Sequence, residues 1–117
     1  MKNRPLTARV RAALAGIRSA WGAEASFRTQ IVLAGLALAG LALFRPSPQW
    51  WGIFVLVIAG TLATELVNTA LEHVVDRLHP ELHPMIRAAK DCAAGAVLLM
   101  SAAALVVLGL FLYERYG

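Results

Sequence analysis

Three long segments without a charged residue constrain the fold of this chain more than any other feature. They cover 31–44, 50–64 and 92–113. About 20 apolar residues in a helix span the ~30 Å hydrocarbon core of a bilayer. Extending the first segment back to Ala25 adds only one charge, Arg28, whose long side chain can reach the headgroups. The hydrophobic content of 59% excludes an ordinary small soluble domain. The sequence therefore predicts an all-α membrane protein that forms one domain over 1–117.

Proline pairs mark the connections between the predicted helices. Pro46 with Pro48, and Pro80 with Pro84, forbid a continuous helix through either connection. The predicted transmembrane helices are 25–44, 49–75 and 87–113. The second connection also contains two histidines four residues apart, the spacing of a metal pair on a helix. Because this segment is predicted to be a loop, we expect His79 and His83 to bind no metal through that spacing.

A narrow apolar stripe runs along the N-terminal segment, 6–22. Its members recur every three or four residues, which places them on one face of a helix. They are Leu6, Val10, Leu14, Ile17 and Trp21. Arginines flank the stripe, and a basic amphipathic helix with a tryptophan is typical of the membrane interface. A soluble helix packed on a protein core is the alternative, but little soluble core remains for it. We expect an interfacial helix.

The basic residues are distributed unevenly around the predicted spans. Nine of the eleven lysines and arginines lie before or around the first span or in the 76–90 connection, and only Arg45 and Arg115 lie on the other side. The positive-inside rule therefore places the N-terminus and the 76–90 connection in the cytoplasm. The net charge of +4 favours an anionic membrane surface or a phosphorylated ligand over nucleic acid as a partner.

Polar side chains follow one another at helical spacing where the second predicted span ends. Glu65, Asn68, Glu72 and Asp76 are three or four residues apart, so they share one face of the helix. The uncharged run before Glu65 rises only about 22 Å. We therefore expect Glu65 near the inner edge of the hydrocarbon, where an acid is costly and is usually functional.

The predicted topology collects acids and a lysine on the cytoplasmic side. Carboxylates such as Glu24 and Glu72 could bind a divalent metal together with phosphate oxygens, and Lys90 could contact a phosphate. Glu65 could be a general base for a lipid hydroxyl, because a desolvated carboxylate is a stronger base. The residues support phosphoryl transfer and an ion or proton path equally well. A third alternative is that Glu65 and Asn68 only join helices.

These alternatives predict different measurements. An ion or proton transporter would show potential-driven flux in liposomes without nucleotide. A structural bundle would show no turnover, and Glu65→Gln would disturb its assembly. Neither a GxxxxGK[ST] loop nor the glycine loop of soluble kinases occurs, so any nucleotide chemistry is of another type.

Three motifs carry a resemblance to a known family. The chain reads WGAEASFR over 21–28, ELVNTALEHVVD over 65–76 and AKDCAAGAVL over 89–98. Together these resemble the prokaryotic integral-membrane diacylglycerol kinase family. The resemblance implies a homotrimeric lipid kinase of the bacterial inner membrane, with ATP as co-substrate and Mg²⁺ as cofactor. It implies active sites at subunit boundaries near the cytoplasmic face. Diacylglycerol is the expected substrate, converted to phosphatidic acid, with undecaprenol as the alternative.

The resemblance also implies a role for individual residues. Glu65 corresponds to the catalytic base, and Glu24 and Glu72 correspond to metal ligands. The residues expected to bind the nucleotide are Asn68, Asp76, Glu81, His83, Lys90 and Asp91. The residues expected to line the entry of the lipid are Trp21, Phe27 and Arg28. The chain departs from the family pattern at Gln30, where some members carry a glutamate.

Overall fold

The computed structural model describes residues 3–78, 81 and 83–117. The described part of the chain forms four α-helices: α1 (Leu6–Ala23), α2 (Ala25–Phe44), α3 (Pro48–Leu78) and α4 (Pro84–Tyr116). By length and composition, α2, α3 and α4 are each able to cross a membrane. The predicted all-helical fold with three such helices is confirmed. His79, predicted as a loop histidine, lies outside the described residues.

Prolines begin two of these helices and do not merely end their predecessors. Pro48 and Pro84 occupy the first positions of α3 and α4, where a missing backbone N–H costs nothing. As a result α4 begins three residues before the predicted start at 87. With 31 and 33 residues, α3 and α4 rise about 45 to 50 Å. Both exceed the ~30 Å hydrocarbon core, so they must tilt or project beyond it.

A single extended residue separates α1 from α2. Glu24 has φ −118° and ψ 112°, and the chain is helical on both sides of it. The Arg28 guanidinium bridges this junction, since Nη1 donates to the Trp21 carbonyl over 2.7 Å and to the Gly22 carbonyl over 3.4 Å. These carbonyls belong to the last turn of α1, where partners within the helix are missing. The junction therefore consists of one residue, whereas the predicted helices 6–22 and 25–44 leave two residues between them.

The apolar stripe of α1 lies on the outside of the chain. Its five members, from Leu6 to Trp21, are each at least 41% exposed. Ala20 is the one buried residue of α1. A helix in the membrane interface would leave such a face free for lipid. That placement remains a prediction.

Aromatic side chains hold together the end of the bundle where α2 stops and α3 starts. Phe44, Trp50, Phe54 and Phe111 contact one another edge to face, with ring centroids 5.1 to 6.3 Å apart. The Trp50 indole Nε1–H donates to Glu114 Oε1 over 3.0 Å. Edge-to-face pairs are favourable because the positive edge of one ring meets the negative face of the other. This aromatic cluster fixes the connection between α2 and α3 against the end of α4.

The chain order then determines what meets at the opposite end. Because α2, α3 and α4 alternate in direction, the start of α2, the end of α3 and the start of α4 lie together. These three segments contain the three motifs that resemble the lipid kinase family. The fold therefore has an aromatic end and a polar end, and the candidate site belongs to the polar end.

We expect Phe111→Ala to lower the free energy of unfolding by about 3 kcal/mol, because the truncation leaves a cavity among closely packed rings. Titration with a denaturing detergent in mixed micelles measures this loss. Leu110→Ala is the matched control, since that neighbouring side chain is more than half exposed in the chain. Equal losses for the two variants would contradict the assignment of Phe111 to the aromatic cluster.

Candidate active site

The carboxylate of Glu65 lies at the centre of the polar end. It is 5% exposed, and both of its oxygens accept a hydrogen bond from α2. Ser26 Oγ–H donates to Oε1 over 2.7 Å, and Gln30 Nε2–H donates to Oε2 over 3.2 Å. A buried carboxylate needs such partners because it has lost its hydration. Glu65 is therefore an acid that the protein shields from solvent and holds from two sides.

Neither partner of Glu65 is among the residues that sequence reasoning assigned to the site. Ser26 lies inside the predicted helix 25–44 but has no assigned role there, and Gln30 is noted in the sequence only because some family members carry a glutamate at its position. One signal was present, since the two are four residues apart and so share a face of α2. That spacing became informative only once this face of α2 was known to pack against Glu65.

Glu65, Asn68, Glu72 and Asp76 form the polar stripe of α3, and a hydrogen bond joins two of these residues one turn after Glu65. Asn68 Nδ2–H donates to Glu72 Oε1 over 3.3 Å, as the predicted spacing of four allows. The Asn68 Oδ1 atom is buried and accepts no hydrogen bond from any residue that the structure describes. A buried oxygen without a donor is costly, so a ligand atom or a water is expected beside it. The amide and the carboxylate together offer oxygens at one point of α3.

An ion pair joins the end of α3 to the start of α4. Lys90 Nζ lies 2.6 Å from Asp76 Oδ1, and both side chains are partly exposed. Such a pair contributes little to stability, because solvent screens it. The ammonium carries three N–H donors, and Asp76 uses one of them. Asp91 follows at once on α4 and is exposed. The predicted nucleotide residues Asp76 and Lys90 therefore come together.

Glu24 approaches α3 from the junction between α1 and α2. Its Oε1 lies 3.7 Å from His73 Nε2, and the histidine neighbours Glu72 in sequence. Sequence reasoning did not assign His73 to the site, because a lone histidine within an apolar pattern carries no motif. The contact shows that Glu24 reaches α3 at the residue that follows Glu72 in the sequence.

His83 caps the start of α4 through a contact with the backbone of that helix. It is the residue before α4, and its Nδ1 accepts from the Met85 N–H over 3.0 Å. An acceptor in this position satisfies one of the free N–H groups at a helix start. Glu81 is exposed, and its carbonyl accepts from the His83 N–H. The nucleotide contacts predicted for Glu81 and His83 remain predictions.

The three residues predicted to line the lipid entry lie in different surroundings. Phe27 is 1% exposed and packs inside the chain. Trp21 is partly exposed, and Arg28 is bound to the Trp21 carbonyl. The structure thus brings Trp21 and Arg28 together at the junction, whereas the ring of Phe27 faces away from the outer surface. Their contacts with lipid remain predictions.

An open apolar groove of about 520 Å³ leads along the bundle from the polar end. Helices α2, α3 and α4 all line it, mainly with alanine, leucine and valine side chains. Gln30 lines the groove as well, and the same amide contacts Glu65. An apolar chain in the groove would therefore end beside the buried carboxylate.

The donor atoms of the polar end fit a magnesium ion in part. Within 3–78, 81 and 83–117, no group of three or more His, Cys, Asp and Glu side chains is close enough to hold a metal. Mg²⁺ rarely needs such a group, because it is usually bound by one or two carboxylates together with waters and substrate phosphates. Glu72 and the free Oδ1 of Asn68 supply oxygens of that kind. The residues present therefore fit a metal that arrives with a phosphorylated ligand.

The amino-acid sequence is similar to those of known proteins. The family model described as prokaryotic diacylglycerol kinase matches residues 11–112. An undecaprenol kinase of Bacillus subtilis is 43% identical over 63 residues, which cover 54% of this chain and half of that protein. A diacylglycerol kinase of Synechocystis is 35% identical over 87% of this chain and 59% of its own length. The diacylglycerol kinase of Escherichia coli K12 is 29% identical over 87% of this chain and 84% of its own length.

Replacing the cap of α4 should destabilise the chain in a way that other caps restore. We expect His83→Ala to cost about 1 kcal/mol of unfolding free energy, because the Met85 N–H loses its acceptor. His83→Asn should recover most of the loss, since asparagine is a favourable N-cap. Unfolding in mixed micelles measures both variants. A loss that asparagine does not recover would contradict the capping role.

Proposed function

The chain belongs to the prokaryotic diacylglycerol kinase family, and from this premise we propose that it transfers the γ-phosphate of ATP to the hydroxyl of a membrane lipid. The observation that carries the proposal is the buried Glu65 carboxylate, which contacts the Gln30 amide that also lines the apolar groove. From that position a base can reach the hydroxyl of a lipid whose apolar part lies in the groove. We propose 1,2-diacylglycerol as the substrate and phosphatidic acid as the product.

In the proposed reaction Glu65 is the general base. It takes the proton of the lipid hydroxyl while the hydroxyl oxygen bonds to the γ-phosphorus and the bond from phosphorus to the ADP oxygen breaks. An ionised carboxylate has about four lone-pair sites, and Ser26 and Gln30 use two of them. Acceptor sites therefore remain for the lipid hydroxyl. The apolar groove would hold a hydrocarbon chain of the same lipid.

The nucleotide would lie on the exposed side of the polar end. Lys90 is suited to a phosphate, because its bond to Asp76 leaves two N–H donors free. Glu72 and Glu24 would hold Mg²⁺, with the Asn68 oxygen beside Glu72. When bound, Mg²⁺ neutralises charge on the transferred phosphoryl group. The other residues proposed to contact the nucleotide are Glu81, His83 and Asp91.

We further propose that three copies assemble in the inner membrane and share their active sites. The many large apolar side chains exposed along its helices support this. The uneven distribution of basic residues supports a cytoplasmic N-terminus and 76–90 connection. The exposed apolar stripe of α1 supports its placement in the membrane interface.

Undecaprenol is the second candidate substrate. The relative named undecaprenol kinase has the higher identity, but its match covers 63 residues, whereas the relatives named diacylglycerol kinase match up to 87% of this chain. Both lipids carry a primary hydroxyl next to long apolar chains, so Glu65 and the groove would serve either. The extent of the match favours diacylglycerol.

Phosphate transfer from labelled ATP and Mg²⁺ tests the function directly. We expect purified protein in bicelles to phosphorylate diacylglycerol more strongly than undecaprenol. We expect Glu65→Gln to lower kcat by at least about 100-fold, because the amide cannot accept the proton. Glu114→Gln is the matched control, since it makes the same change at the aromatic end. If folded wild type phosphorylates neither lipid, the proposal is wrong, and potential-driven flux without nucleotide would then favour a transporter.

Metal titration tests the proposed ligands. We expect Glu72→Gln to raise the Mg²⁺ concentration for half-maximal activity by about 10-fold, because one charged oxygen ligand is lost. The KM for the lipid should stay within about twofold of wild type. Arg115→Gln is a control for the effect of an altered charge at the far end. An unchanged Mg²⁺ dependence in Glu72→Gln would remove this residue from the metal site.

A further inference from the structure

We propose that Ser26 and Gln30 are positioning residues, which hold the Glu65 carboxylate in the orientation that accepts the lipid proton. The inference rests on the proposed function of Glu65. It adds two residues that none of the family motifs assigns to the chemistry. Both act through Glu65, and Gln30 also lines the apolar groove.

The contacts attach the carboxylate at two points. Ser26 Oγ holds Oε1 at 2.7 Å, and Gln30 Nε2 holds Oε2 at 3.2 Å. One contact would still allow the carboxylate to turn about its own axis. Two donors on different oxygens fix the plane of the group and the directions of its remaining lone pairs. Reaction rates depend on such alignment, because a misplaced base loses the geometry of proton transfer.

The two donors come from the same face of one helix. Ser26 lies in the first turn of α2, and Gln30 follows one turn later. Arg28, between them, is bound to the carbonyls that end α1. The first turns of α2 are therefore tied to both α1 and α3, and Glu65 is oriented by a segment with a defined position.

The serine contact persists when Glu65 changes its protonation state. A hydroxyl donates to a carboxylate and can rotate to accept from a carboxylic acid. The Gln30 N–H can only donate, so it keeps its place on Oε2 when that oxygen faces it without a proton. The pair can thus hold Glu65 before and after it receives the lipid proton. An alanine at position 26 would leave the acid attached at one point.

Kinetic constants of four variants test this role in bicelles. We expect Ser26→Ala and Gln30→Met each to lower kcat by about 10-fold with the KM values for lipid and MgATP within about twofold, since orientation and not binding is lost. Ser26→Thr should restore kcat, because it keeps the hydroxyl. Thr29→Ala removes an exposed hydroxyl of the same segment and should match wild type. Wild-type kcat in folded Ser26→Ala would overturn the proposal.

Infrared spectra provide a readout that needs no turnover. Each spectrum minus that of the same protein with Glu65→Gln isolates the carboxylate stretching bands of Glu65. We expect these bands to shift in Ser26→Ala and Gln30→Met and to stay in place in Thr29→Ala. Unshifted bands in the first two variants would overturn the contacts. Shifted bands with unchanged kcat would overturn the positioning role. Shifted bands in these two variants, together with a folded wild type that phosphorylates neither lipid, would instead overturn the proposed function.

Discussion

The cost of burying a carboxylate within a membrane-spanning bundle is the constraint on which the rest of this structure depends. Glu65 lies in a helix that can cross a bilayer, yet only 5% of it is exposed. Such an acid is tolerated only if other groups replace its water. Two donors from α2 do so, which requires that α2 begin close to Glu65 and pack against α3.

The two ends of the bundle make different contributions. At one end, Phe44, Trp50, Phe54 and Phe111 pack edge to face and join the helices through apolar contact. At the other end the contacts are polar, and among the described residues they leave two of the Lys90 N–H groups and the Asn68 oxygen without a partner. Packing at the aromatic end allows the polar end to keep groups that a ligand can satisfy. A lipid kinase requires such a polar end at the membrane surface, because its nucleotide arrives from water and its lipid substrate arrives from the bilayer.

The polar stripe shows how far sequence reasoning reached. Its spacing predicted that Asn68 and Glu72 share a face, and the hydrogen bond between them has that spacing. The topology predicted that Lys90 lies near the end of α3, and it pairs there with Asp76. Ser26, Gln30 and His73 were missed as contacts, because a contact between distant helices depends on rotation about the helix axes. Periodicity within one helix does not specify that rotation. The prolines were read only as helix breakers, although two of them begin helices, because the same residue is compatible with a first turn.

The amino-acid sequence by itself determined that this protein is helical, that three of its helices can cross a membrane, and that its acids other than Glu114 gather at one end. These properties follow from local composition and helical spacing, which need no knowledge of neighbouring segments. Its motifs likewise determined the family. Only the tertiary structure decided that α2 supplies both partners of Glu65, that His83 caps its own helix, and that Phe27 is buried. Those outcomes depend on which faces of the helices meet, and that is decided by packing over the whole bundle.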